Sequence, residues 1–301
     1  MSIGELNARF AIAGRVTITA GKGGLPLVEV DTGTARATIC TYAGQVLSHR
    51  PAGQAEDIFF LSGKAYWADG KAIKGGMPVC WPWFGPDPEG KGRPGHGFVR
   101  NRPWDLRGTE TLADGRVRVR LGLTDSDETR AIWPHAFDLE LAVTIGDALQ
   151  TALVTRNTGD KAFPLTQGLH TYFRVGDIAR VRVEGLEGLS YIDKMDGGAT
   201  KTQQGAVTLA GETDRVYTGV RGDLAIVDPA LSRRIRISAQ GSASAVVWNP
   251  WADTARAMAD LDDDDYKTLL CVETTNAGPD AVTVAPGAEH RLVATYTVGR
   301  D

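Results

Sequence analysis

Short runs in which apolar and polar residues alternate recur along most of this chain, and none is followed by a long amphipathic helix. The clearest is RVRVRLGL at 116–123, where arginine alternates with valine and leucine. FDLELAVTI (137–145), ALQTALVTRNTG (148–159), RRIRISAQG (233–241) and EHRLVATYTVG (289–299) are built alike. A period of two sends successive side chains to opposite faces, one wet and one buried. Such strands, divided by turn residues, predict an all-β protein: a large antiparallel β-sandwich and not a parallel α/β sheet. Residues 27–50 read as two or three strands broken at Gly33 and Gly44, and 180–186, 206–211, 224–230, 244–251 and 266–275 as further ones. One short helical turn is predicted at 126–134, capped by Ser126 with Glu128 in its first turn. The whole chain, 1–301, is read as one domain, a size that sandwiches reach.

One stretch breaks the pattern. Lys74 to Trp104, KGGMPVCWPWFGPDPEGKGRPGHGFVRNRPW, holds six of the fourteen prolines and three of the seven tryptophans. Proline removes an N–H donor, so this stretch is not the centre of a regular sheet. Disordered segments are poor in aromatics, and this one is rich in them. It reads as a long stiff loop without its own strand or helix, a binding wall that carries Lys74, His96, Arg100 and Arg102. Trp81 and Trp83 suit either stacking on a sugar face or the core.

Composition narrows the function. A net charge of −4 shows no basic excess for nucleic acid. Cys40, Cys80 and Cys271 are scattered, which argues against a disulfide framework and a structural zinc site. The sequence has no apolar run long enough to span a membrane and no secretory signal pattern, so a cytoplasmic protein is expected. The run Asp262 to Asp265 reads as a solvated loop, lacking the alternation, central glycine and distal glutamate of a calcium loop.

Of the five histidines, His49, His135 and His290 read as structural. His170 lies in LTQGLHTYFRVGDI beside Tyr172 and Phe173, aromatics that desolvate a histidine and can build a sugar-binding surface. Glu273 sits inside the apolar run LLCVETT, and a buried carboxylate is costly unless it has a partner or a task. An ion pair with an arginine would satisfy it; so would service as a general base. A histidine and a glutamate together make an acid/base pair.

The motifs KAIKGGMPVCWPWFG (71–85), HGFVRNRPW (96–104), LHTYF (169–173), YIDK (191–194), VWNP (247–250) and YKTLLCVET (266–274) resemble those of the hexose-6-phosphate mutarotases. These are glucose-6-phosphate 1-epimerases, a branch of the aldose 1-epimerase superfamily, and the resemblance runs in order over nearly the whole chain. It implies the galactose mutarotase-like supersandwich, with His170 and Glu273 as the catalytic pair. It further implies that Lys74, Arg100 and Asp193 contact substrate and that His96 lines the site. Two positions depart: many members have arginine where this chain has Lys74, and Gly95 stands where relatives often carry a polar side chain. Arg93 is the nearby cation expected to compensate.

The implied reaction interconverts the α and β anomers of an aldohexose 6-phosphate, needing no metal and no cofactor. The expected partner is a small sugar phosphate, met by a monomer that binds neither nucleic acid nor membrane. Two rivals stand beside it: an epimerase of unphosphorylated aldoses, against which Lys71, Lys74, Arg93, Arg100 and Arg102 speak, and a carbohydrate-binding module without turnover. A glycosidase would need two carboxylates.

Overall fold

The alternating runs become antiparallel strands gathered into two large sheets. The structure, a computed structural model, describes residues 1–300. Strands make up 46% of it and helices 12%. A nine-stranded sheet runs in the order Val207–Thr208, Arg182–Glu184, Leu224–Asp228, Arg233–Gln240, Glu289–Arg300, Leu149–Asn157, Phe137–Ile145, Val117–Thr124, Asp105–Thr111. An eight-stranded sheet runs Ala199–Thr202, Ser190–Asp193, Thr213–Thr218, Ser244–Asn249, Leu269–Asn276, Gln167–Leu169, Val79–Cys80, with Tyr172–Arg174 also beside Leu269–Asn276. Val16–Ala20, Pro26–Asp31, Ala35–Cys40 and Gln45–Pro51 form a four-stranded sheet.

Alternation explains the core. Val117, Val119 and Leu121 are fully buried while Arg118 and Arg120 turn away. Leu139, Leu141 and Val143 of the next strand join the same apolar cluster, as do Tyr217, Ala245, Val247, Leu270 and Val272 from the eight-stranded sheet. Burying each such Val, Leu or Ile side chain is worth roughly 1.5–3 kcal/mol. The opposite face of the eight-stranded sheet is thereby left to build a site.

The expected turn at 126–134 is the helix Asp127–Ile132, capped by Ser126. Two other helices were not anticipated. Ile3–Phe10 opens on a capping box of Ser2 and Glu5 and buries Leu6 and Phe10. Trp251–Ala257 begins where a strand was expected to continue, because the Asn249 side chain accepts a hydrogen bond from the Trp251 N–H (2.8 Å) and turns the chain.

The proline-rich stretch also differs from expectation. It does contain a strand, Val79–Cys80, which pairs with Gly168 and Leu169 between Pro78 and Pro82. Trp81 is completely buried, its indole N–H donating to Thr155 Oγ1 (2.9 Å), and it packs against Phe98, Trp133 and Phe137. Trp83 is buried too and donates to the Pro94 carbonyl. Both tryptophans belong to the core, and neither offers a face to a sugar. The glycine pair after Lys74 is required by contact: a Cβ on Gly75 would lie 2.5 Å from the Phe60 carbonyl oxygen, and one on Gly76 2.4 Å from that of Val46. Only a residue without a side chain lets the loop lie this close.

Candidate active site

Cross-strand register brings the chemistry together. Val216 stands opposite Val246, and Val246 opposite Glu273. On the far edge of Leu269–Asn276, Leu169 pairs with Thr274 and Tyr172 with Cys271. Between them His170 and Thr171 leave the ladder, and the register carried through sets His170 against Glu273. Residues directly opposite in an antiparallel pair share a face. A second row on that face runs Asp214, Trp248, Cys271, Tyr172. These rows floor a cavity of about 640 Å³ whose wall comes from the proline-rich stretch: Lys74, Phe84, His96 and Arg100. Gly168 lies under Phe84, where a Cβ would come within 2.8 Å of the ring.

His170 Nδ1 is 3.5 Å from Glu273 Oε1. The imidazole stacks on Tyr172 at 4.9 Å with its plane 11° away, and meets the Trp248 and His96 rings edge-on. Its backbone N–H donates to the Pro78 carbonyl (2.9 Å), which fastens it to the wall. Burial drives His170 well below the ordinary histidine value, and His96, Arg100 and Lys74 add to that. Burial likewise drives Glu273 well above the ordinary carboxylate value, with Asp214 adding and Arg100 opposing. A low dielectric disfavours both charged forms. The pair is therefore driven toward neutral imidazole and neutral acid, one proton transfer away from imidazolium and carboxylate.

His96 has a left-handed backbone (φ 62°). Its N–H donates to the Gly85 carbonyl (2.6 Å), and the Gly85 N–H donates to its Nδ1 (3.3 Å). An acceptor Nδ1 leaves the ring proton on Nε2. Burial, followed by Arg100, Lys74 and Lys194, pulls its pKa down to about 3, so His96 is a neutral hydrogen-bonding group.

Six residues singled out in the sequence thus meet different fates. His170, Glu273, Lys74, His96 and Arg100 line one cavity, whereas Asp193 does not. The Asp193 carboxylate accepts from the Met195 N–H (3.0 Å) and from Lys201 Nζ (2.8 Å). The second carboxylate of the cavity floor, beside Glu273, is Asp214, raised above its ordinary value by burial. Thr213–Thr218 was not read as a strand, and Asp214 lies in GETDRVYT (211–218), where no apolar run marks it. Arg93 is no compensating cation: it lies over Trp83 (4.3 Å) and pairs with Asp87 and Glu89 (2.8 Å to Glu89). Arg102 pairs with Glu128 at 3.4 Å, and Lys71 lies over Tyr66. The cationic cluster expected from sequence reduces to Lys74 and Arg100, joined by Lys194. His49, His135 and His290 stand outside the cavity.

His170, Cys271 and Glu273 bring ligand atoms within 4.8 Å of one another. They would hold a metal only after the thiol, raised well above its ordinary value by burial, lost its proton.

Comparison with known proteins agrees with this architecture. Residues 26–297 match the aldose 1-epimerase family. The chain is 41% identical over 254 residues to the proposed glucose-6-phosphate 1-epimerase of Escherichia coli (strain K12), covering 84% of each. It is 38% identical over 264 residues to a protein of the same description from Cenchrus ciliaris, covering 85% of this chain and 79% of the other. The crystal structure of a proposed mutarotase, YeaD, from Salmonella typhimurium superposes with a TM-score of 0.90 at 32% identity over the full length of both chains. This chain, an epimerase by fold and sequence, belongs to the aldose 1-epimerase family.

Proposed function

We propose that the protein interconverts the α and β anomers of a hexose 6-phosphate, glucose 6-phosphate first among them, by opening and reclosing the sugar ring. One observation carries this reading: an opposed histidine and glutamate in the floor of a cavity whose lining includes Lys74, Arg100 and Lys194. The names of the relatives point to the same substrate.

Glu273, as carboxylate, takes the proton of the anomeric O1 hydroxyl. His170, as imidazolium, gives a proton to the ring oxygen while the C1–O5 bond breaks to leave the aldehyde. Rotation about C1–C2 presents the other carbonyl face, and closure returns each proton by the reverse path. Opening turns an ion pair into a neutral pair, the form that burial favours. Each positioned acid or base typically contributes ~10² to 10⁴ in rate. His96 donates from Nε2 to a sugar oxygen, and Asp214 accepts from sugar hydroxyls. The working unit we propose is a cytoplasmic monomer with Cys40, Cys80 and Cys271 reduced.

NMR saturation transfer between anomers tests the reading. Exchange above the uncatalysed rate should be far faster for glucose 6-phosphate than for glucose. Preference for free glucose would overturn the phosphate assignment and favour the unphosphorylated aldose epimerase.

A further inference from the structure

We infer that Lys194 is a phosphate-binding residue of this site and that, with Arg100, it supplies two positive charges, neither held in an ion pair among the described residues, that receive a sugar-phosphate dianion. The inference rests on the sugar-phosphate reading above. A phosphate monoester carries about −1.5 to −2 at neutral pH. Of the three cations that line the cavity, Lys74 is already engaged: its Nζ lies 3.5 Å from Asp260 Oδ1 and 3.8 Å from the Met258 sulfur. The Arg100 guanidinium hydrogen-bonds the Gly95 carbonyl (3.1 Å) and, among the described residues, no carboxylate. Among the described residues, neither Arg100 nor Lys194 has a carboxylate within ion-pair distance, unlike Arg93 and Arg102 in the same wall.

The backbone around Lys194 is held in place. It opens the short 3-10 turn Lys194–Asp196 at the end of the strand Ser190–Asp193. Asp193 anchors that turn through the Met195 N–H, and Lys201 clamps Asp193 and Asp196 together at 2.8 Å each. In the YIDK motif the aspartate therefore builds the turn and the lysine after it is left to act. Ile192, two residues earlier, lies on the cavity floor. The Lys194 charge reaches both sides of the cavity, depressing His96 in the wall and opposing the burial of Asp214 in the floor. Gly95, in that wall, offers no side chain for an anion to meet. Lys194 supplies a donor from the end of the strand Ser190–Asp193.

Steady-state anomer exchange on glucose 6-phosphate, with inorganic phosphate as competing inhibitor, tests this in Lys194→Ala, Lys194→Arg and Arg100→Ala. Lys194→Ala should raise KM and weaken phosphate inhibition by about tenfold each, carried by KM and not kcat, at an unchanged melting temperature. Lys194→Arg should recover most of both. If Arg100→Ala moves both constants and Lys194→Ala moves neither, Lys194 is a bystander and the inference fails while the function stands. If the unmutated enzyme shows no preference for the phosphorylated sugar, both fall.

Discussion

Nδ1 of His170 stands 3.5 Å from Oε1 of Glu273, and among the described residues neither that nitrogen nor the glutamate's other oxygen has a hydrogen-bond partner. Leaving a buried polar atom unpaired costs about 1–3 kcal/mol, so folded proteins rarely do it without a use. Here both residues line the cavity, although these two atoms are themselves buried. Glu273→Gln keeps the shape and removes the base; His170→Asn removes the acid. Each should slow anomer exchange on glucose 6-phosphate by at least ~10²-fold while leaving the fold intact. Near-normal exchange in either variant would remove that residue from the mechanism.

The wall cations should read out in binding. Arg100→Ala is expected to raise KM for glucose 6-phosphate by roughly tenfold or more, with a smaller effect on kcat. Rising salt should mimic part of the loss, since charges at an open mouth are screened over about 10 Å at 0.1 M. Lys74→Arg should keep or improve turnover, because a guanidinium can hold Asp260 and an anion together where an ammonium cannot fork. Equal losses on glucose and glucose 6-phosphate in Arg100→Ala would separate that arginine from phosphate.

Trp81 supports the fold and not the sugar. Its complete burial among Phe98, Trp133 and Phe137 predicts that Trp81→Ala costs ~3–5 kcal/mol of stability. Denaturant unfolding measures this. A variant of unchanged stability with a raised KM would restore the stacking role.

Acid should weaken the protein partly through His49. It is fully buried, its ring Nε2 bonds the Gly146 carbonyl (3.1 Å), and burial pulls its pKa from 6.5 to about 4. The unfolded chain therefore takes up this proton first as pH falls. The stability His49 allows is complete above about pH 6.5 and lost as pH drops toward 4, by up to ~3 kcal/mol. Between pH 7 and 5 the melting temperature should fall more steeply in the natural protein than in His49→Gln. Parallel curves would contradict this.

The sheets were legible because their alternation is strict: Phe137–Ile145 and Val117–Thr124 fall within a residue of the boundaries read from pattern alone. Ser190–Asp193 and Thr213–Thr218 were missed, being short and mixed in character, and Asp214 and the role of Lys194 were missed with them. His170 and Glu273 stood out in the sequence because each is polar in an apolar run. Asp193 entered only through the resemblance of its YIDK motif, and it caps a turn. Residue type cannot separate a carboxylate that faces a cavity from one that holds the chain. Arg93 shows the same limit, its charge consumed by Asp87 and Glu89 from its own loop.

The strand Leu269–Asn276 is flanked by Ser244–Asn249 on one side and by Gln167–Leu169 and Tyr172–Arg174 on the other. It carries Glu273 and is also the last strand of its sheet to leave the ribosome. A nascent chain that stops short of it lacks the base and the rung that joins the histidine's strands to the rest of the floor. Catalytic competence must then arrive in a single step, once this strand has emerged and paired. Incomplete chains would be silent as enzymes and not merely slow ones.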